Sequence, residues 1–325
     1  MENNGCSTIP SPVTFTQATA NDLNAAVWQG AAVATVVLLV DPVFFGKSLP
    51  TDEIRAAFGG DPELAVVGVE SMASEFSVPL PADVKAFLPI VSPPAALAFR
   101  RAAPLGEFPD CSDPIRGWLL RAAENGLRQQ RLVMPAEGKS WEVDSRLPML
   151  RPAEPGREWH WLRDGIERLD LRALLRTRSE DDATAFRAGL LQMNDFLDAS
   201  HEQSQSIEGA GRNRAGDYWH AVMHRREPDD SNAKYWFRRV GSHPIFAELA
   251  RRADSLLSGF PEVSREWRGR LLPGARWDPS AFVDLCQACP KSETDDLSRF
   301  ARRVQWVEMQ LLLEQTRKDA GGDES

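Results

Sequence analysis

"SEDDATAFRAGLLQMNDFLDASHEQSQSIEG", from Ser179 to Gly209, is the stretch from which the fold can be read. It opens on a serine, whose hydroxyl can accept from the free N–H groups of a first helical turn. Three acids follow, favourable beside the positive end of the helix dipole. It closes on a glycine, the residue that most readily ends a helix. Between these signals Phe186, Leu190, Met193 and Leu197 recur at spacings of three and four, which predicts one apolar helical face. The same stripe continues through His201, Ser204 and Glu208, so a core-facing line turns polar in its last two turns. Asp198 and Gln205 lie within one turn of His201. Buried polar groups cost a few kcal/mol unless paired. This end therefore runs into solvent, meets a polar protein partner, or lines a ligand pocket.

Working outward, the same logic finds more helices. "SHPIFAELARRADSLLSG" starts at Ser242 and stops near Gly259. "SETDDLSRFARRVQWVEMQLLLEQTRK" starts at Ser292 with Asp295 at the capping-box position, and Leu297, Phe300, Val304, Val307 and Leu311 share one face. In the first half an apolar helix is expected from Asn21, although Thr35–Val40 reads equally as a buried strand. Short helices are expected in "TDEIRAAF", "DPELAVVGVESMASEF", "PADVKAFLPI" and "PPAALAFRRA", and a longer one through "DPIRGWLLRAAENGLRQQRLV". Frequent prolines favour short helices packed at varied angles. The expected fold is all-α, or mainly α: an irregular multi-helix assembly with at most a minor strand in its N-terminal half. The expected organisation is a flexible N-terminus (1–20), an N-terminal helical region (21–140), a C-terminal helical domain (157–318) and a disordered tail (319–325). A loop-like boundary lies near 135–156.

Composition narrows the function classes. A hydrophobic content of 42% and a charged content of 26% are those of a globular chain. A net charge of −9 argues against nucleic acid as a partner, because duplex binders need a basic surface. "MENNGCSTIPSP" lacks the basic segment and apolar run of a secretory signal. The most apolar run, "AAVATVVLLV", is shorter than the roughly 20 residues needed to span a bilayer. A soluble, cytoplasmic protein without a membrane partner is expected. Four cysteines in such a chain suggest free thiols. Cys286 and Cys289 form a CxxC late in its helix, where the dipole does not activate a thiol, and Cys6 and Cys111 are too isolated to complete a zinc site.

Chemistry concentrates in "DYWHAVMHRREPDDSNAKYWFRRVGSH", Asp217 to His243. It holds both tyrosines, each followed by tryptophan, and three of the five histidines. It reads as two short helices: one capped by Asp217 and ended by Pro228, the other starting at Asp230-Ser231 and ending before Gly241. His220 and His224 are four apart and share a face. They form half of a metal site that His201 and carboxylates from a neighbouring helix would complete, with zinc, iron or manganese as the ion. "HAVMH" has Ala221 where the zinc-protease motif has glutamate, which excludes that reading. Asn232, Tyr235 and Arg239 form a polar line on the second helix. Arg225, Arg226, Arg238 and Arg239 sit in last turns, where cations gain ~0.3–1 kcal/mol from the dipole; guanidinium groups also bind carboxylate or phosphate. Trp219 and Trp236 are expected in the core.

The candidates follow. His201, His220 and His224 are metal ligands or acid/base groups, and Tyr235 is a proton or hydrogen-bond donor. Arg225, Arg226, Asn232 and Arg239 are substrate contacts. Asp198, Asp217 and Glu208 stand behind them to orient imidazoles. The segment from Gly216 to Pro244, with "DASHEQSQSIEG" upstream, resembles the core of an uncharacterised bacterial protein family. That resemblance covers about 200–246 and implies no activity or catalytic residue. The sequence thus leaves three readings: an enzyme acting on a small polar or anionic molecule, a non-catalytic module for a small anion or a protein, or a purely structural polar network.

Overall fold

The computed structural model describes residues 13–14, 36–40, 51–61, 64–72, 96–100, 108–135 and 147–321. The chain is mainly helical, and by internal contacts it divides into two units, 1–74 with 79–137 and 157–169, and 75–78 with 138–156 and 170–325.

The first unit carries a five-stranded sheet: β1 (Val13–Thr14), β2 (Val36–Val40), β3 (Leu64–Met72), β4 (Ala96–Arg100) and β5 (Arg128–Pro135). The order is β1-β2-β4-β3-β5, antiparallel at β2–β4 and β4–β3 and parallel at β1–β2 and β3–β5. This is more than the minor strand expected. Two segments expected as helices, "DPELAVVGVESMASEF" and "PPAALAFRRA", supply β3 and β4. The reason is burial on both faces. Val67, Val69 and Ala98 pack with Ile54 and Phe58 of α1 (Thr51–Gly60). Phe99, paired in register with Val66, instead meets Trp118 of α2 (Pro114–Glu124), with ring centroids 4.7 Å apart. A strand covered on both sides reads as a continuous apolar run, without the alternation that would identify it.

Helix α2 begins as its sequence suggests: Asp113 accepts from Arg116 N (2.9 Å) and Pro114 occupies the first helical position. The long helix expected here stops at Glu124. Gly126 takes φ 64, a left-handed turn suited to glycine, and the chain re-enters the sheet as β5. Helix α3 (His160–Arg168) completes the described part of this unit. Of the helix expected over 21–40, Val36–Val40 is instead strand β2, in line with the alternative reading of Thr35–Val40; the rest of that segment, the helix in "PADVKAFLPI" and Cys6 lie outside the described residues.

The second unit is helical: α4 (Leu171–Leu175), α5 (Glu180–Met193), α6 (Leu197–Ser206), α7 (Ala215–Arg226), α8 (Asp230–Val240), α9 (Phe246–Leu257), α10 (Pro261–Leu271), α11 (Pro279–Ala288) and α12 (Asp296–Gly321). The stretch from Ser179 is two helices, not one. Ser179 Oγ accepts from Asp182 N (3.2 Å) as expected, but Asp195 takes φ 66 and divides α5 from α6. Helix α12 continues through Gly321, so the expected tail is helical at its start. There Asp319 accepts from Asn213 Nδ2 (2.8 Å), and Ala320 O accepts from Arg178 N (2.8 Å).

Every residue of α7 is buried, and α7 packs against α5, α6 and α8. Close approach to α5 depends on Gly189: a Cβ there would stand 2.5 Å from the Trp219 ring. The turn that feeds α7 is held from α5 as well. Asp182 accepts from Arg212 N with both oxygens (2.9 and 3.0 Å), and Gly211 (φ 76) leaves no room for a Cβ beside that carboxylate. Among the described residues, no helix is long and apolar enough to cross a membrane.

Candidate metal centre

Helix α6 presents His201 towards α7, and α7 presents His220 and His224 one turn apart. Their ligand atoms all lie within 4.8 Å of one another. The His220 ring stacks on the His224 ring (centroids 4.7 Å, planes 24° apart), while His201 meets both edge-on at 4.6 and 5.4 Å. On its other neighbour His220 stacks against Trp236 of α8, 4.0 Å away at 21°. The indole expected simply as core therefore also forms a wall of the histidine cluster.

The three imidazoles differ in how their nitrogens are used. His224 is fixed at both. Its Nδ1–H donates to Glu227 Oε2 (3.2 Å), and its Nε2 accepts from Asn232 Nδ2 (3.0 Å). These contacts assign the proton to Nδ1 and leave Nε2 as the coordinating atom. His220 is only 2% exposed, yet neither of its ring nitrogens has a hydrogen-bond partner among the described residues. Leaving a buried polar group unmatched costs on the order of 1–3 kcal/mol. Burial, reinforced by His224, His201 and Arg239, pushes its pKa down to about 3, so the ring is neutral at physiological pH. Burial likewise lowers His224, against the pull of Glu227. His201 is half-buried and forms the accessible edge of the cluster.

Three imidazoles from two helices suit zinc, iron or manganese. Nitrogens bound about 2.0–2.1 Å from one ion stand roughly 3.3 Å apart. The observed spread reaches 4.8 Å, so coordination requires the most separated rings to close by up to about 1.5 Å.

Beside the rings, Arg239 of α8 pairs with Glu208 (2.8 Å), lies 3.8 Å from Asp217 and donates to Tyr235 Oη (3.2 Å). Its guanidinium also lies over the Trp236 ring at 4.9 Å. Tyr235 is 45% exposed. Asp217 is not the helix cap that was expected. It lies inside the first turn of α7, where its Oδ1 accepts from Gly209 N (2.9 Å). Helix α8 starts at Asp230 as expected, capped by Asp229, which accepts from Asn232 N (3.2 Å). Asp198 is exposed in the first turn of α6.

Arg225 and Arg226 do not serve as solvent-facing dipole caps. Arg225 is buried against Glu308 (2.6 Å), which also accepts from Tyr218 Oη (3.0 Å), and lies over the Phe282 ring at 4.6 Å. Arg226 reaches Gln192 O (2.6 Å), Met149 O (3.2 Å) and Asp195 Oδ1 (2.5 Å). That last contact ties α7 to the break between α5 and α6.

Glu227 was missed as a histidine partner, although H-x-x-E at 224–227 carries the signal at helical spacing. Cys286 and Cys289 are free and buried, and burial raises both thiols, Cys289 to about 11, so neither is an activated nucleophile. Comparison with protein-family models, curated proteins and solved structures finds no significant match.

Proposed function

We propose that the protein binds one divalent metal ion, zinc, iron or manganese, on His201, His220 and His224. The remaining coordination positions of the ion would bind and activate a small polar or anionic molecule, or water. The observation that carries this reading is His220: a buried, neutral imidazole with both nitrogens unmatched, between two other imidazoles. Three histidines with a further position left for a ligand is the donor pattern of a catalytic rather than a structural zinc site. A bound ion there would lower the pKa of its water and polarise a substrate oxygen.

The half-buried edge at His201 is the side from which a small molecule would enter. Arg239 and Tyr235 are the groups we assign to an anionic substituent, because the Arg225 and Arg226 side chains are buried while Arg239 and Tyr235 are partly exposed. Glu227 holds the His224 tautomer. The free, unactivated thiols suit a reducing setting such as the cytoplasm.

One specific contact favours the purely structural reading: His220 stacks on Trp236, as a packing residue would. Metal titration separates the two. Protein purified without a histidine tag and stripped with chelator should take up one equivalent of zinc, manganese or ferrous ion by calorimetry. His220→Ala should lose that uptake while its metal-free melting temperature stays within a few degrees. Absence of uptake by the wild type would leave only the structural network.

A further inference from the structure

If the three histidines hold an ion, something must supply the next donor, and no carboxylate joins them within ligand distance among the described residues. We infer that Asn232 supplies it, through its side-chain oxygen Oδ1. This rests on the metal reading above and extends the ligand set to a third helix, at the start of α8.

With Nδ1 of His224 engaged by Glu227, the ring can coordinate only through Nε2, and the Asn232 amide stands 3.0 Å from that atom. Two neighbouring donors about 2.1 Å from one ion stand roughly 3.0–3.4 Å apart. The amide and His224 Nε2 are thus already at ligand spacing, closer than the spread of the three histidines themselves.

In the metal-free arrangement the amide presents Nδ2–H to the Nε2 lone pair, and it also hydrogen-bonds the Asp229 side chain. A cation at Nε2 reverses the electrostatics: it repels the N–H dipole and attracts the carbonyl oxygen. A rotation about the Cβ–Cγ bond exchanges the two ends without moving the backbone. The pivot is firm, because Asn232 N donates to the capping carboxylate of Asp229 at the start of α8. Metal binding therefore trades the donations made by Nδ2 for one metal–oxygen bond. A neutral oxygen donor added to three nitrogens keeps the ion's full double charge, which favours an anionic ligand at the position left over.

Cobalt(II) chloride is the probe, since its visible bands report both coordination number and donor set. Asn232→Ala should bind cobalt at least about tenfold more weakly than the wild type, with altered band positions. Asn232→Asp should bind at least as tightly as the wild type. Both variants should keep metal-free melting temperatures within a few degrees, which separates lost coordination from lost folding. Should Asn232→Ala bind with unchanged or higher affinity and an unaltered spectrum while His220→Ala abolishes binding, Asn232 is no ligand and the histidine site stands. Failure of the wild type to bind cobalt, zinc, manganese or ferrous ion removes the histidine site and Asn232 together.

Discussion

Helix α7 buries polar groups on two sides, and the sides are built differently. On one, each charge meets an opposite charge: Arg225 with Glu308, and Arg226 with Asp195. On the other, His220 is as deeply buried but meets only a tryptophan and two further imidazoles. Low dielectric makes an unpaired charge far costlier than an unpaired neutral ring. The paired side therefore serves cohesion, tying α7 to α12 and to the α5–α6 break. On the histidine side His220 is neutral, with both ring nitrogens unmatched, which is the condition a metal ligand requires.

The largest expected effect breaks the paired side. Glu308→Ala leaves the Arg225 guanidinium buried without its countercharge and removes the acceptor of Tyr218. Chemical denaturation should show a loss of about 3–5 kcal/mol. A loss below ~1 kcal/mol would mean that the pair does not hold α7 to α12.

Next comes the pH dependence of the same side. His243 packs edge-on against Tyr218 at 4.9 Å, is buried, and has its pKa pushed down to about 4 by burial. The unfolded chain takes up this proton near pH 6.5, the folded chain only near pH 4. Its contribution is therefore complete above pH 6.5 and is lost as the pH falls towards 4, by up to about 3 kcal/mol. Urea unfolding at several pH values between 7 and 4 should give a flatter slope for His243→Gln than for the wild type. Equal slopes would show that folding does not lower the His243 pKa.

A smaller effect sharpens the histidine side. Glu227→Gln keeps the shape of the His224 partner but removes its charge. Zinc affinity measured by calorimetry should fall 10–100-fold, with little change in stability because Glu227 is partly exposed. Unchanged affinity would detach Glu227 from the site.

Particular residues show why some of this was legible in the sequence. His201 follows Leu197 by one turn on an apolar face, and His220 and His224 are one turn apart, so helical periodicity alone aims them inward. The partners of the arginines were not legible. Glu308 stands 83 residues from Arg225 along the chain, and a last-turn arginine looks the same whether it caps a dipole or enters a core. The break at Asp195 carries no glycine or proline to mark it. In the first unit, "LAVVGV" is apolar on both faces of its strand, and such a run has neither the period of a helix nor that of an exposed strand.

The central claim is that His220 is left unmatched in order to bind a metal ion. Anomalous diffraction from crystals grown with one equivalent of zinc tests it most directly. The account requires a single peak about 2.0–2.2 Å from a ring nitrogen of each of His201, His220 and His224. A peak elsewhere, or none at these rings, would contradict it.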